Sequence, residues 1–150
     1  MRASRTIISA ILTFSGTVFG QSTPRPVPCT VRPASASQQE QIFNTFVEEF
    51  YVKSDLFDAF THVVSDYIQH NPNILDGNAA TFDVLSARLS TSTPQILHLA
   101  FSAPYGWVHH KDGNSTAIVD VYRFNGTCIQ EHWDVIQTVP ANSTNPHPLF

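Results

Sequence analysis

The pattern of hydrophobic and polar positions divides the chain into a helical first part and a strand-rich second part. Between residues 37 and 53, apolar side chains recur at the spacing of an amphipathic helix: Ile42, Phe43, Phe46, Val47, Phe50 and Tyr51. Ser37, with Glu40 three residues later, predicts a capping box at the start of this helix. A second, shorter helix is predicted from Ser54 onward, and a third over residues 79–90.

After Pro94 the pattern changes to the alternation that is typical of half-buried strands. Four β-rich stretches are separated by the turn sequences PYG, KDGN and NGT: QILHLAFSA, GWVHH, STAIVDVYRF and CIQEHWDVIQTV. A further short strand, DYIQHNP, is predicted before the third helix. Helices followed by an antiparallel meander indicate the α+β class. A curved sheet with three helices packed against it would enclose a cone that holds one small apolar ligand.

The last hairpin carries many ionisable side chains for two half-buried strands. A turn centred on Gly126 pairs Asp120 with His132 and Ile118 with Asp134, so alternation places these four side chains on one face. The same face carries further, mostly apolar side chains: Tyr122, Phe124 and Ile136. An apolar wall with a few converging ionisable groups is typical of a ligand pocket. Carboxylates and an imidazole in such a pocket can transfer protons at neutral pH.

Two alternatives stay open for this hairpin. The three ionisable side chains could form a solvated polar stripe, and a register shift of one residue would exchange the two faces. The opposite face could pack under the helices or form a dimer contact, and it carries Val119, Val121, Arg123, Glu131, Trp133 and Val135.

Composition narrows the class of protein. A chain of 150 residues suits one domain with a sizeable core, and a charged fraction of only 13% argues against a disordered tail protein. The formal net charge is −4 and the few Lys and Arg residues form no cluster, which argues against a nucleic-acid partner.

The N-terminus has the pattern of a secretory signal. MRASR supplies positive charge, and TIISAILTFSGTVFG is an apolar run shorter than a membrane span. The predicted organisation is a signal peptide over residues 1–20, a proline-rich arm over 21–36 and one domain over 37–150. The alternative for the first segment is a buried N-terminal helix. After signal removal, no membrane association is expected.

Export affects how the cysteines and the Asn-x-Ser/Thr motifs are interpreted. Cys29 and Cys128 form an even pair, which in an oxidising compartment favours a disulfide over two free thiols. Three sequons predict glycosylation of a secreted protein, at Asn114, Asn125 and Asn142.

Two motifs and the C-terminus carry a family resemblance. The stretch YIQHNP with a following DG, the stretch VDVYRFNGTCIQEHWDVIQTVP and the ending NPHPLF are similar to SnoaL-like polyketide cyclases of the nuclear transport factor 2-like superfamily. The resemblance covers roughly residues 38–150. It implies a cone-shaped, ketosteroid isomerase-like α+β fold with a deep apolar pocket, often in a homodimer. It also implies no metal and no organic cofactor.

The resemblance also implies roles for three residues. Enzymes of this group remove a proton next to a carbonyl and stabilise the enolate. By strand position, Asp134 would be the acid/base, His132 would tune it, and Asp120 would polarise the carbonyl oxygen. The cysteine in the hairpin and the signal peptide depart from the pattern of intracellular cyclases.

Further side chains are candidates for ligand contact. Tyr67 could offer its hydroxyl to a carbonyl, and His70 could reach the pocket rim or cap a loop. Tyr122 and Ile118 share the face of the acidic residues. The spacings HxH, HExxH and GxSxG are absent from the sequence, which argues against common zinc sites and a serine hydrolase.

The sequence therefore predicts a secreted lyase, cyclase or isomerase that acts on a small hydrophobic carbonyl compound. The alternative is a secreted binding module without catalysis, which keeps the cone for a hydrophobic small molecule. A third possibility is a structural dimer with a collapsed pocket.

Overall fold

A computed structural model describes residues 24–88 and 94–150. The predicted signal peptide and the last two residues of the predicted third helix lie outside these ranges. No helix within them is long and apolar enough to cross a membrane. Residues 24–35 of the arm have no regular secondary structure except one β-bridge, from Cys29 to Val64.

The first predicted helix is confirmed, with a different cap. Helix α1 spans Ala36–Val47 and continues into a π-helical turn over Glu48–Val52. Ser35, not Ser37, is the N-cap: its hydroxyl accepts the backbone N–H of Gln38, and the Gln38 side chain accepts the backbone N–H of Ser35. Both serines precede a Glu or Gln by three residues, so the pattern alone allowed two starting points.

The second helix is shorter than predicted. Helix α2 spans Leu56–Ala59, and one 3₁₀ turn follows over Phe60–His62. Ser54 does not cap it, because its φ of 56° is left-handed and an N-cap residue is normally extended. Asp55 caps it instead, accepting the backbone N–H of Asp58.

The third helix and the strands form the rest of the fold. Helix α3 spans Asn78–Arg88. The strands are β1 Val63–Gln69, β2 Gln95–Ser102, β3 Tyr105–Asp112, β4 Thr116–Asn125 and β5 Cys128–Thr138. They form one sheet in the order β1-β5-β4-β3-β2, in which β1 runs parallel to β5 and the other pairs are antiparallel. The predicted α+β class with a curved mixed sheet is confirmed.

The β4–β5 hairpin has a different register from the predicted one. Asn125 pairs with Cys128, so the loop has two residues, and the register then shifts beyond Phe124, which pairs with Ile129. Further along, Asp120 pairs with Asp134, whereas the sequence analysis paired Asp120 with His132. The short loop and the bulge each move the register by one residue. Together they preserve the predicted faces, because the two shifts add to two residues and an even shift leaves each side chain on its face.

The predicted disulfide joins the arm to this hairpin. Cys29 and Cys128 are bonded, with their Cα atoms 5.8 Å apart and 99 positions apart in sequence. Closing so long a loop stabilises a domain by roughly 2–5 kcal/mol. The arm lies so close to the turn that a Cβ on Gly126 would come within 2.0 Å of the Arg32 carbonyl oxygen.

The core lies between the helices and one face of the sheet. The largest fully buried side chains include Phe43, Phe46, Tyr51 and Ile129. Phe43 packs directly against β3, where a Cβ on Gly106 would come within 2.5 Å of its ring. The helices therefore cover the face that carries Asp120 and its neighbours.

The opposite face does not pack under the helices. Its members are half-buried or exposed, and Val135 is 68% exposed. One of the two alternatives for this face is therefore wrong, and the dimer contact stays a prediction.

Candidate functional site

A cavity of about 180 Å³ lies between the helices and the sheet. Most of its wall is apolar, with Phe46, Phe50, Phe60 and Leu85 from the helical side. One wall is polar and comes from the ends of β1 and the middle of β3, β4 and β5. It carries Tyr67, Gln69, Asn71, His110, Asp120, Tyr122, His132 and Asp134.

Strand alternation explains why these side chains converge. On β4, Ile118, Asp120 and Tyr122 all face inward, and on β5 His132 and Asp134 do the same. The structure thus brings the three predicted catalytic residues together, within one cavity wall. Nitrogen or oxygen atoms of Asp120, His132 and Asp134 lie within 4.8 Å of one another.

The Asp120 carboxylate is the centre of the polar wall. It accepts hydrogen bonds from the Tyr51 hydroxyl (2.5 Å), from Nε2 of His110 (2.8 Å) and from Nε2 of His132 (3.0 Å). The hydroxyl of Tyr122 lies 2.6 Å from that of Tyr51. Because Tyr51 donates to the carboxylate, Tyr122 donates to Tyr51.

These donors decide the ionisation of Asp120. Burial alone would raise the pKa of its carboxyl group, but the hydrogen bonds and charges of His110 and His132 outweigh burial and hold the pKa well below its usual range. Asp120 is therefore an anion that accepts three hydrogen bonds. It has no hydrogen to donate, so this arrangement does not support the expected role of Asp120 as the group that polarises a carbonyl.

His132 is held at both ring nitrogens. Its Nδ1 lies 2.8 Å from Oε1 of Gln69, and that oxygen also accepts the backbone N–H of Asn71 at 3.0 Å. The second bond fixes Oε1 as an acceptor, so Nδ1 of His132 donates to it. Because Asp120 is ionised, both nitrogens of the His132 ring face hydrogen-bond acceptors. Both hydrogen bonds form only when each nitrogen carries a hydrogen.

Asp134 and Tyr67 are less fully hydrogen-bonded than Asp120 and His132. One oxygen of Asp134, Oδ2, accepts a hydrogen bond from the Asn71 side chain. Within the described ranges, no group donates to its other oxygen, and none bonds the hydroxyl of Tyr67. Burial, followed by the charges of Asp120 and Asp134, raises the pKa of Tyr67 well above its usual value, so the phenol keeps its hydrogen.

His70 does not line the cavity, contrary to its predicted place at the rim. It follows Gln69, which faces inward, so alternation turns His70 to the outer face. There its Nε2 lies 2.8 Å from Glu131, and its ring stacks on Trp133 at a centroid distance of 4.7 Å. His109 and His110 are adjacent on β3, so their side chains face opposite sides of the sheet, and His110 enters the cavity.

Sequence reasoning missed three groups that form this wall or support it from behind. Tyr51 fitted the helical pattern and was assigned to the core, although its hydroxyl reaches Asp120. Gln69 is two residues after Tyr67 on one strand, and this spacing alone places it on the same face. Asn71 lies beyond the strand, where no periodicity applies.

Asp120, His132 and Asp134 have the composition of a metal site, but most of their ligand atoms already form hydrogen bonds. Two carboxylates and one imidazole are common ligands, yet both oxygens of Asp120 and both nitrogens of His132 are hydrogen-bonded. Only Asp134 keeps an open oxygen. The sequence expectation of no metal and no organic cofactor stays a prediction.

Comparisons with known proteins identify the fold. No family model matches the sequence. No curated protein sequence is significantly similar to it. Among solved structures, an NTF2-like (nuclear transport factor 2-like) protein of unknown function from Mesorhizobium loti has a TM-score of 0.60 at 14% identity, over 74% of this chain and 99% of that one.

Two further structures show the same architecture. A SnoaL-like protein of unknown function from Burkholderia thailandensis has a TM-score of 0.55 at 13% identity, over 70% of this chain and 99% of that one. A steroid delta-isomerase from Pseudomonas aeruginosa has a TM-score of 0.58 at 13% identity, over 72% and 84%. The chain therefore has the NTF2-like fold, which its sequence resemblance predicted.

The ionisation of Asp120 generates a prediction about stability. At pH 7, Asp120→Asn should lower the free energy of unfolding by about 3–5 kcal/mol, because it leaves the charge of His132 buried without its partner. The pKa of Asp120 is lower in the folded state than its unfolded value of about 3.9. Its contribution is therefore complete above that value and is lost as pH falls toward the folded pKa.

Urea unfolding at pH 7, 4 and 3 measures this effect. The difference between wild type and Asp120→Asn should shrink as pH falls below about 4. Asp66→Asn, an exposed change on β1, is the matched control and should show a small difference at every pH. A difference for Asp120→Asn that stays constant down to pH 3 would contradict the assignment.

Proposed function

We propose that the protein binds a small carbonyl compound in this cavity and transfers a proton at the carbon next to the carbonyl. The observation that carries the proposal is the pair of unpartnered groups in one mostly apolar cavity: a carboxylate oxygen of Asp134 and the hydroxyl of Tyr67. The first is a base and the second is a hydrogen-bond donor. Proton abstraction next to a carbonyl requires these two groups.

The reaction follows from these roles. Asp134 takes the proton from the α-carbon, and the electron pair of the C–H bond moves into the enolate. The enolate oxygen accepts a hydrogen bond from Tyr67, which stays neutral because its pKa is raised. Return of the proton to another carbon gives an isomerase. Attack of the enolate carbon on a second carbonyl of the same molecule, with protonation of that oxygen, gives a cyclase.

Other polar residues of the cavity wall hold the base, Asp134, in position. Asn71 holds one oxygen of Asp134, and His132 lies within 4.8 Å with a ring that carries hydrogen on both nitrogens. Asp120 in turn fixes His132, so we assign Asp120 a positioning role.

The cavity volume limits the substrate. Pockets for drug-sized ligands have volumes of about 300–1,000 Å³, whereas an apolar cavity of about 150 Å³ accommodates a benzene ring. A cavity of about 180 Å³ therefore fits one ring with small substituents. We expect a neutral, one-ring carbonyl compound, since most of the wall is apolar.

A non-catalytic binding module is the second candidate. Its support is that both oxygens of Asp120 and both ring nitrogens of His132 are already hydrogen-bonded, which suits a cavity that only encloses a ligand. The two candidates differ in one observable, which is exchange of the α-proton of a bound ketone with solvent.

Asp134→Asn tests the proposed role of Asp134 as the base. The amide has nearly the volume of the carboxylate, so the cavity and ligand binding should persist. Exchange of α-protons should slow by about 10²–10⁴-fold, which is the usual contribution of a positioned acid/base. Tyr67→Phe should slow exchange by about 10²–10³-fold through loss of the enolate's hydrogen bond. The measurement is proton NMR in D₂O with a panel of one-ring cyclic enones and 1,3-diketones.

Asp66→Asn serves as the matched control on the outer side of β1 and should exchange at the wild-type rate. Binding of the same ketones is measured in parallel by calorimetry. Ketones that bind without any catalysed exchange would exclude the enzyme and support the binding module. Exchange that is undiminished in Asp134→Asn would exclude this residue as the base.

We also propose that two copies associate through the outer face of the sheet. Val135 is 68% exposed there, and Val121 and Trp133 lie half-buried beside it. An exposed apolar patch on a sheet is typical of a protein contact. Sedimentation velocity at micromolar concentration should show a dimer, and Val135→Lys should shift it to monomer. A wild-type protein that sediments only as a monomer would contradict this contact.

We also propose that the protein is secreted. A disulfide and the absence of a membrane-crossing helix in the described ranges are compatible with a secreted protein. The sequon residues Asn114, Asn125 and Asn142 are all exposed. Expression in a eukaryotic host should release the protein into the medium with glycans and without free thiols, which mass spectrometry checks before and after deglycosylation. Retention in the cell, or two reactive thiols per chain, would contradict export.

A further inference from the structure

Two histidines face each other on the outer side of the sheet, away from the cavity. His98 on the edge strand β2 pairs with His109 on β3. Their Nδ1 atoms are 3.0 Å apart, and their rings are nearly parallel, with an interplanar angle of 15°. His98 is exposed and His109 is half-buried. This histidine pair plays no part in the proposed reaction.

A register shift in the sheet creates this pairing. Ile96 pairs with His110, and regular antiparallel pairing would then place Leu97 opposite His109. The register shifts by one residue between Ile96 and His98, and this shift brings His98 opposite His109. Bulges of this kind commonly redirect a side chain next to a functional site.

The histidine pair also differs from four of the other five histidines in its partners. His62, His70, His110 and His132 each bond a carboxylate. Within the described ranges, His98 and His109 bond only each other through their rings. No carboxylate within the described ranges therefore holds their ring nitrogens, and the two Nδ1 atoms face each other.

The distance between the two nitrogens matches that of two ligands on one ion. With metal–nitrogen bonds of about 2.0–2.1 Å, two imidazole nitrogens at adjacent positions of a tetrahedral or square-planar ion lie roughly 2.9–3.4 Å apart. The observed 3.0 Å falls in this interval. We propose that the histidine pair chelates a divalent late transition-metal ion, with water or a ligand from outside the chain at the remaining positions.

Binding requires a change of tautomer and a rotation of both rings, because the ring centroids are 5.3 Å apart and the two Nδ1 atoms therefore point directly at each other. In the hydrogen-bonded pair, one Nδ1 carries the hydrogen and the other accepts it. For both nitrogens to bind a metal, the donor ring moves its hydrogen from Nδ1 to Nε2, and no net proton is released. Imidazole prefers Cu²⁺, Ni²⁺ and Zn²⁺ to Mg²⁺ and Ca²⁺, which prefer oxygen ligands.

The test is calorimetric titration of untagged, full-length protein with CuCl₂, NiCl₂, ZnCl₂ and MgCl₂ separately. One ion per chain should bind, with Cu²⁺ tighter than Ni²⁺ and Zn²⁺. His98→Ala and His109→Ala should each weaken binding by about 10²-fold, because each removes the second arm of a chelate. The double variant should bind little more weakly than either single variant. Circular dichroism confirms that the variants remain folded.

Two further variants separate the alternatives. His147→Ala removes an exposed histidine of the C-terminal segment and should leave the affinity unchanged. Asp134→Asn removes the open carboxylate of the cavity and should also leave it unchanged. Affinity lost in Asp134→Asn but kept in His98→Ala would overturn the proposal in favour of a cavity site. Equal binding of Mg²⁺, or no binding of any ion, would also overturn it.

Discussion

A buried carboxylate that must be kept ionised organises this protein. Removing a charge from water costs several kcal/mol, and the cost is offset only when donors of good geometry surround the ion. Asp120 obtains these donors from three different elements: Tyr51 after α1, His110 on β3 and His132 on β5. The helical layer and two strands therefore meet at one anion, and their relative positions are fixed by hydrogen-bond geometry as well as by apolar contact.

This arrangement divides the polar wall into two parts with different tasks. Hydrogen bonds to Asp120 hold its partners in place and leave them little freedom to react, although Nδ1 of His110 is buried without a partner within the described residues. Asp134 and Tyr67 lie beside this network and keep one free atom each. A rigid set of groups next to a few free ones suits proton transfer, because the reacting groups do not have to reorganise during the reaction.

The sequence predicted the faces of the strands better than their register. Alternation placed Asp120, His132 and Asp134 on one face correctly, because a register shift by an even number of residues does not change which side chains share a face. The pairing partners could not be found, since loop length and bulge position depend on how the hairpin meets the arm. The helix caps show a similar limit, because Ser35 and Ser37 both satisfy the local pattern. Residues beyond a periodic element, such as Asn71, are recognised only when the chain is folded.

The disulfide has a consequence for the integrity of the cavity. Cys29 and Cys128 enclose all three helices and the strands β1 to β4, and the bond joins this whole stretch to β5. A protease that cuts an exposed loop between the two cysteines would not release a fragment, because both pieces would stay covalently attached. The nicked chain would remain a single molecule with every wall of its cavity. In a compartment that contains proteases, the bond would thus protect the chain against fragmentation as well as against unfolding.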